Sequence, residues 1–314
     1  LAKNGSCAIK PQPTNQPTQS GFRRGRSTVD NLLVLETDIR LAFLQRKHLV
    51  AVFFDIEKAY DKTWRVESEL SDFFVQEEGV PQGSVLSVTL FILKINGILK
   101  QLQPSVKSFL YVDDLYISCT GVHMNFIQRQ LQIAINSIWS KVNGFTISTS
   151  KTAAIHFCRK RSLHFDPELK LNSEIIPFMN EIRFLGVVFD KKLSFLPHVK
   201  QLRKKCEKSL NILKVLSTTA WGADRVSMLK IYKAMILSKL DYGYTIYGSA
   251  RKSVLQKLDP VHHTALRLCS GAFRTSPVKR LYVDCCEPAL EHRRQLLSLN
   301  YFFRIAFKSV SSLL

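Results

Sequence analysis

The sequence predicts an α+β fold in which a ferredoxin-like sheet is followed by a basic helical region. Up to about residue 190, strand and amphipathic-helix patterns occur in the order strand, helix, hairpin, helix, strand, which is the split β-α-β arrangement. After about residue 196 the apolar spacing is nearly all helical, with segments predicted at 198–217, 224–240, 251–271 and 289–310. The 314 residues suffice for one large domain or two ordinary ones.

The first two elements lead to an acidic residue. Residues 28–46 have helical apolar spacing behind the capping residues Thr28 and Asp30. Residues 48–54 are a short apolar stretch rich in β-branched and aromatic side chains, as expected of a strand buried on both faces. This strand ends at Asp55, so a carboxylate is expected where the strand stops.

A hairpin and four further elements complete the predicted sheet. The two arms at residues 108–118 flank Val112-Asp113-Asp114, which places two carboxylates at the hairpin tip. The other segments are helices at 84–99 and 124–142 and strands near 153–157 and 184–189. We place the boundary between the sheet and the helical region near residues 191–197.

The charge of the chain is strongly positive and unevenly distributed. Lys and Arg total 45 against 25 Asp and Glu, which gives a net charge of +20 and a pI of about 9.8. The net charge is +5 in residues 1–50, −2 in residues 51–150 and +17 in residues 151–314. Such an excess favours a polyanionic partner, nucleic acid first and an anionic membrane surface second. No apolar run approaches the ~20 residues that span a bilayer, so no membrane insertion is predicted.

The seven cysteines are predicted to be free thiols. None belongs to a C-x-x-C pair, none has a zinc-ligand companion at the usual spacing, and their number is odd. Free thiols indicate a reducing compartment, and residues 1–20 lack the apolar stretch of a secretory signal. We therefore expect an intracellular protein, nuclear, cytoplasmic or both, that is not secreted.

Three carboxylates at strand ends predict a metal site formed by Asp55, Asp113 and Asp114. Two carboxylates about 4 Å apart repel each other by roughly 4 kcal/mol at an effective dielectric constant near 20, so their convergence is expected where cations bind. Two divalent ions there can activate a 3′-hydroxyl and stabilise a leaving pyrophosphate. The alternative is an ordinary turn at Asp113-Asp114, because Asp is a favoured turn residue.

Several segments, in order along the chain, resemble the motifs of reverse transcriptases. Motifs A, B and C are matched by FDIEKAYD from Phe54, GVPQGSVLS from Gly79 and YVDD from Tyr111. More narrowly, they are similar to the polymerases of non-LTR retrotransposons (LINE elements) of the jockey type. GFRRGRST at 21–28 resembles an upstream fingers motif, and Gly144 to Thr152 resembles motif D. The similarity extends to about residue 305.

The resemblance implies a right-hand polymerase with an RNA-directed DNA polymerase activity. We assign residues 1–20 to a disordered remnant and residues 21–47 to a fingers remnant. The palm with motifs A to D is residues 48–196, and a basic α-helical thumb-like domain is residues 197–314. The implied partners are an RNA template, a DNA primer and deoxynucleoside triphosphates (dNTPs). The implied cofactors are two Mg²⁺ ions, with Mn²⁺ as an alternative, and the sequence defines no oligomeric state.

The catalytic roles follow from the matched positions. The resemblance implies that Asp55 and Asp113 ligate both metals and that Asp114 is a third ligand. Lys151 matches the motif D lysine that protonates the leaving pyrophosphate, and the alternative is a surface lysine that binds a template phosphate.

The resemblance also assigns substrate contacts to five other residues. Tyr60 matches the aromatic position that excludes the ribose 2′-hydroxyl, and the alternative is an aromatic core residue. Gln82 and Gly83 match the loop that contacts template and incoming nucleotide, although Pro81-Gln82-Gly83 would equally make a plain tight turn. Arg23 and Arg26 have the guanidinium geometry that suits a triphosphate or the template backbone.

The connection between motifs A and B is shorter than in the family. Only 23 residues separate Asp55 from Gly79, several tens fewer than in the family. If about 300 Å² of sheet were left uncovered, the loss would be about 7 kcal/mol at ~25 cal/mol/Å². Three hypotheses remain: a polymerase, active or inactivated by internal deletion; a non-catalytic nucleic-acid-binding relic that uses residues 151–314; and an unfolded product.

Overall fold

The computed structural model describes residues 27–57, 60–61, 65–66, 69–70, 80–81, 102–141, 146–160, 165–217 and 222–311. The strands in these ranges are β1 (His48–Phe54), β2 (Ile56–Glu57), β3 (Tyr60–Asp61), β4 (Arg65–Val66), β5 (Glu69–Leu70), β6 (Val80–Pro81), β7 (Val106–Tyr111), β8 (Asp114–Gly121), β9 (Thr146–Ile147), β10 (Ala153–Phe157), β11 (Lys170–Leu171), β12 (Glu174–Ile175), β13 (Glu181–Phe184) and β14 (Val187–Asp190). The α-helices are α1 (Thr28–Leu44), α2 (Met124–Lys141), α3 (Leu196–Leu216), α4 (Arg225–Tyr232), α5 (Ser238–Asp241), α6 (Tyr244–Tyr247), α7 (Lys252–Leu255), α8 (Asp259–Ser270), α9 (Val278–Cys285) and α10 (Leu290–Ser311).

A four-stranded antiparallel sheet organises the first part of the chain. Its strand order is β10-β1-β8-β7, which is the order that the predicted split β-α-β arrangement requires. β1 pairs with β8 along its whole length, from His48 opposite Gly121 to Phe54 opposite Leu115. Because β1 lies between two strands and is covered on both faces, all of its residues are buried. The predicted strands at 48–54 and 153–157 and the predicted hairpin are confirmed.

The two faces of the sheet belong to two different hydrophobic cores. The odd-numbered residues of β1, from Leu49 to Phe53, pack with α1 and with helices that follow residue 196. The even-numbered residues, from Val50 to Phe54, pack with the apolar side of α2. This alternation follows from the two-residue period of a strand. The helices predicted at 28–46 and 124–142 are confirmed as α1 and α2, and each covers one face.

Short paired strands join the segments around this sheet. β2 pairs with β9, β4 with β5, and β11 with β12, all antiparallel. β3 and β6 pair in parallel. The helix predicted at 84–99 lies outside the described residues.

The segment around residue 186 forms a hairpin, so the prediction of one strand at 184–189 was wrong. β13 and β14 are joined by Leu185 and Gly186, whose φ angles are 42° and 84°. Positive φ at both central residues is the signature of the tight hairpin turn that twists with its strands. A Cβ on Gly186 would lie 3.0 Å from the Tyr242 ring, so glycine also permits a close approach there. The apolar residues on both sides of this turn resemble one continuous strand in the sequence.

The region after residue 196 is helical, as predicted, but is divided more finely. The predicted helix at 224–240 comprises α4, a π-helical segment at Lys233–Leu237 and α5. Helix α9 was not predicted. The described helices share a core with the sheet that includes Tyr232, Leu266 and Leu281. In the described part of the chain, we find no helix with both the length and the apolar character needed to cross a membrane.

Candidate active site

The tip of the β7–β8 hairpin presents two carboxylates at the surface. Tyr111 pairs with Asp114, so Val112 and Asp113 form a two-residue turn. Val112 has a φ of 60°, which is unfavourable for a β-branched residue. Such strain occurs where the surrounding structure holds a functional segment in place. The paired strands therefore fix the position of Asp113 and Asp114 at the cost of strain at Val112.

Asp55 lies beside this hairpin tip. Phe54 is opposite Leu115 in the β1–β8 register, so Asp55 follows the last paired residue of β1 and Asp114 precedes its partner on β8. The negative charge of Asp55 acts on the Asp114 carboxyl group, which places the two side chains near each other. This brings together the three acidic residues that the sequence predicted as metal ligands.

The charges of these residues interact. Although Asp114 is exposed at the hairpin tip, neighbouring protein atoms partly shield its carboxyl group from water, and this shielding, ahead of the negative charges of Asp113 and Asp55, raises its pKa to about 6. A raised pKa means that the surroundings of the Asp114 carboxyl group disfavour its ionised form. A divalent cation between the carboxylates would reverse that effect and favour the ionised form.

Lys151 contacts the same group of carboxylates. Its Nζ lies 3.1 Å from Oδ2 of Asp55, and the two side chains are 66% and 46% exposed. An ion pair exposed to this degree contributes only ~0–1 kcal/mol, so another cation can displace Lys151 from Asp55 at little cost. Two hydrogen bonds position the segment that carries Lys151: Ser148 N donates to the Asp55 carbonyl at 2.9 Å, and the Thr152 side-chain hydroxyl donates to the Ser148 carbonyl at 2.6 Å.

The donor set fits hard divalent cations. Carboxylate oxygens are the ligands that Mg²⁺ and Mn²⁺ prefer. Three carboxylates lie at this edge of the sheet, near enough for the charges of Asp55 and Asp113 to act on Asp114, and Lys151 is the one ion-pair partner found for them in the described part of the chain. The arrangement can therefore hold cations at an exposed edge of the sheet, where a large substrate has access.

The other predicted site residues are only partly covered by the structure. The backbone of Tyr60 lies in β3, opposite Val80 of β6, so the chain after Asp55 runs beside the residues that precede Gln82. Gln82, Gly83, Arg23 and Arg26 lie outside the described residues.

A basic cavity was not predicted from the sequence. It has a volume of about 300 Å³ and lies between the β13–β14 hairpin and helices α3 and α5. Its cationic side chains are Arg183, Lys205 and Lys239, and Tyr242 closes one side by donating from its hydroxyl to the Leu185 carbonyl at 2.7 Å. These cations are far apart in sequence, so the +17 charge of residues 151–314 indicated their number but not their convergence.

Comparisons with known proteins are consistent with this geometry. The family model described as reverse transcriptase (RNA-dependent DNA polymerase) matches residues 2–189. The chain is 26% identical over 293 residues to the probable RNA-directed DNA polymerase from transposon BS of Drosophila melanogaster, a match that covers 79% of this chain and 32% of that protein. It is 24% identical over 329 residues to the RNA-directed DNA polymerase from mobile element jockey of the same species, covering 91% and 35%.

The chain spans about a third of the length of these two relatives. Among solved structures, telomerase from Candida albicans in complex with the TWJ fragment of telomeric RNA matches with 13% identity and a TM-score of 0.37, over 84% of this chain and 55% of that one.

Proposed function

Because the chain belongs to the reverse transcriptase (RNA-dependent DNA polymerase) family, we propose that it supplies the polymerase core of a jockey-type non-LTR retrotransposon. It adds deoxynucleotides to the 3′ end of a DNA primer on an RNA template. The observation that carries this proposal is the convergence of Asp55, Asp113 and Asp114 at one edge of the sheet, with Lys151 in contact.

The architecture follows from this assignment. The four-stranded sheet is the palm, α1 belongs to a fingers remnant, and the helices after residue 196 form the thumb-like domain. The basic cavity supports this assignment, because it lies between the sheet-side hairpin and α3 and can bind the phosphates of a primer–template duplex.

Asp55, Asp113 and Asp114 would hold two Mg²⁺ ions, or Mn²⁺ in their place. When bound, such ions activate the primer 3′-hydroxyl and stabilise the charge of the leaving pyrophosphate. The three carboxylates orient the reacting groups because the paired strands fix their positions.

Lys151 donates a proton in this scheme. Its Nζ is held near the reacting groups by the contact with Asp55, and the weakness of that exposed pair leaves the ammonium group able to turn towards the pyrophosphate. The Nζ proton then passes to a pyrophosphate oxygen as the bond to the α-phosphorus breaks.

Primer extension tests the proposal. The purified full chain, given an RNA template, a DNA primer, dNTPs and Mg²⁺, is expected to lengthen the primer, and EDTA is expected to stop it. Binding of the primer–template that persists in EDTA without any extension in Mg²⁺ or Mn²⁺ would contradict the proposal. That outcome would favour a non-catalytic nucleic-acid-binding protein.

Replacing Tyr60 with Ala is expected to admit ribonucleotides. The resemblance assigns the sugar-selecting ring to Tyr60, and the backbone of Tyr60 lies opposite Val80, which precedes Gln82 by two residues. Loss of such a steric block is expected to raise the ratio of ribonucleotide to deoxynucleotide incorporation by about 10–100-fold. Single-nucleotide insertion kinetics measure this ratio.

Tyr60→Phe is the matched control for this substitution. It keeps the ring and is expected to retain the wild-type selectivity. Equal ratios in wild type and in Tyr60→Ala would show that another residue selects the sugar.

Neutralising the basic cavity is expected to weaken primer–template binding in a salt-dependent way. In the double variant Lys205→Gln/Lys239→Gln, the slope of log K against log salt concentration should become shallower by about 1 to 2. Binding releases about one counterion fewer for each phosphate contact that the variant lacks. Fluorescence anisotropy over a KCl series measures the slope.

Lys170→Gln is the control for this pair of substitutions. Lys170 lies on β11, beside α2, and pairs with Glu168 at 3.0 Å. Its removal is expected to leave the slope nearly unchanged. If the cavity variant and this control change the slope equally per lysine, the proposal that the cavity binds the primer–template is wrong.

A further inference from the structure

A second cluster of metal-binding side chains lies at the end of the sheet opposite the carboxylates. His48 begins β1, and His156 and Cys158 lie at and just beyond the end of β10. Asp55 is seven residues further along β1 and its continuation, about 23 Å away at ~3.3 Å per residue. The cluster is therefore distinct from the candidate active site.

The ligand atoms of these three residues converge. One nitrogen of each histidine and the Cys158 sulfur all lie within 4.8 Å of one another. Nδ1 of His48 and Nε2 of His156 are 2.9 Å apart, close to the ~3.3 Å expected for two nitrogens on one tetrahedral Zn²⁺. His48 and His156 are only 3% and 4% exposed, so their rings are held by packing. Among the described residues, this is the one group of three or more such side chains whose ligand atoms meet so closely.

Two neighbouring groups support metal binding. Asp166 Oδ1 lies 2.9 Å from Nδ1 of His156, so a proton on Nδ1 puts the lone pair of that ring on Nε2, the nitrogen that faces Nδ1 of His48. The backbone N–H of Lys160 donates to the Cys158 sulfur at 3.4 Å, which helps to hold the sulfur near the two histidine rings. The set combines two imidazoles and one thiolate, which selects Zn²⁺ over Mg²⁺.

We propose that His48, His156 and Cys158 bind one Zn²⁺ ion, with water as the fourth ligand. Binding releases the thiol proton of Cys158 to solvent. The proton of His48 then resides on Nε2, so Lys160, whose Nζ is 3.1 Å from that nitrogen, turns its exposed side chain to solvent. The ion links the start of β1 to the segment after β10 and so stabilises the pairing of β1 with the edge strand β10.

Cobalt substitution tests the site on the full chain. After treatment with a chelator and dialysis, one equivalent of Co²⁺ is expected to give a sulfur-to-cobalt charge-transfer band, which carboxylates cannot produce. The band is expected in wild type and in Asp113→Asn, and it should be lost in Cys158→Ser. Cys286→Ser is the matched control, since Cys286 is exposed on α9's carboxyl end and should leave the band unchanged.

Zinc affinity gives a second measurement. Competition with a chromophoric chelator should show one tight site per chain, and Asp166→Asn should weaken it by about 10–100-fold through loss of the histidine orientation. Asp284→Asn should not change it. A wild-type chain that shows no cobalt–thiolate band, or a band that persists in Cys158→Ser, would overturn the proposal. The first result would mean that Lys160, His48, His156 and Asp166 form a hydrogen-bonded chain without metal, and the second that cobalt binds the thiolate of another cysteine.

Discussion

Replacing Asp113 with Asn is expected to lower the rate of primer extension by about 1,000-fold. The substitution keeps the size and the turn propensity of the residue. It removes one of the three negative charges of the candidate metal site, whose other two carboxylates are those of Asp55 and Asp114. A loss of about 4 kcal/mol of transition-state stabilisation corresponds to that factor, since each ~1.4 kcal/mol is tenfold. The measurement is single-turnover extension at saturating dNTP and Mg²⁺.

The same substitution should have a second, independent effect on Asp114. The Asp113 charge helps to raise the pKa of Asp114 to about 6. Its removal should lower that pKa, an effect that carbon-13 NMR of the carboxyl groups can measure without any activity. A raised or unchanged Asp114 pKa in Asp113→Asn would contradict the geometry of the site.

Asp284→Asn is the matched control for Asp113→Asn. Asp284 lies on α9 and forms a 3.6 Å ion pair with Arg280, far in sequence from the predicted motifs. It should extend primers at the wild-type rate. Extension by Asp113→Asn at the rate of this control would mean that the hairpin carboxylates do not form the catalytic site.

The sequence predicted the site best where local pattern and chain order coincide. Residues 48–54 are apolar on both faces, which only a central strand tolerates, and Asp55 follows directly. The two arms of the hairpin leave no other place for Asp113 and Asp114 than its tip. Neighbouring strand ends then bring the carboxylates together, so a one-dimensional pattern was enough.

Features that depend on distant residues could not be predicted in this way. His48 and His156 are 108 positions apart, and no spacing rule joins them. Arg183, Lys205 and Lys239 meet only because the β13–β14 hairpin packs near α3 and α5. The hairpin itself was missed because apolar residues continue on both sides of Gly186, and the positive φ that glycine provides there is a property of the fold.

Acid is expected to destabilise the protein through two buried histidines. The pKa of His198 is lowered to about 4 by burial and then by the charges of Lys205 and Arg183. The pKa of His262 is also lowered to about 4, by burial and then by the charge of His263. The Tyr232 hydroxyl oxygen lies 2.5 Å from Nδ1 of His262, and the Pro288 carbonyl oxygen lies 3.2 Å from Nε2 of the same ring. Both ring nitrogens therefore have hydrogen-bond partners that suit the neutral imidazole.

The direction of the effect follows from proton binding. Above pH ~6.5 both histidines are neutral in the folded and the unfolded chain, so they do not affect stability there. As the pH falls below that value, the unfolded chain binds protons first, and the free energy of unfolding decreases until the folded histidines titrate near pH 4. Each shift corresponds to about 3 kcal/mol, so the two together approach the total stability of ~5–15 kcal/mol that a typical domain has.

Urea unfolding between pH 7 and pH 4.5 measures this loss, and His198→Gln isolates one of its sources. The variant should lose about 2 kcal/mol less than wild type over that interval, whatever its stability at pH 7, because the rest of the ~3 kcal/mol is lost below pH 4.5. Asp114 acts in the opposite direction, because its raised pKa makes the folded chain bind a proton near pH 6, but this contribution is the same in both proteins and cancels in the difference. His123→Gln removes an exposed histidine and should reproduce the wild-type pH dependence. If wild type, His198→Gln and His123→Gln lose stability in parallel, carboxylates rather than buried imidazoles cause the acid sensitivity.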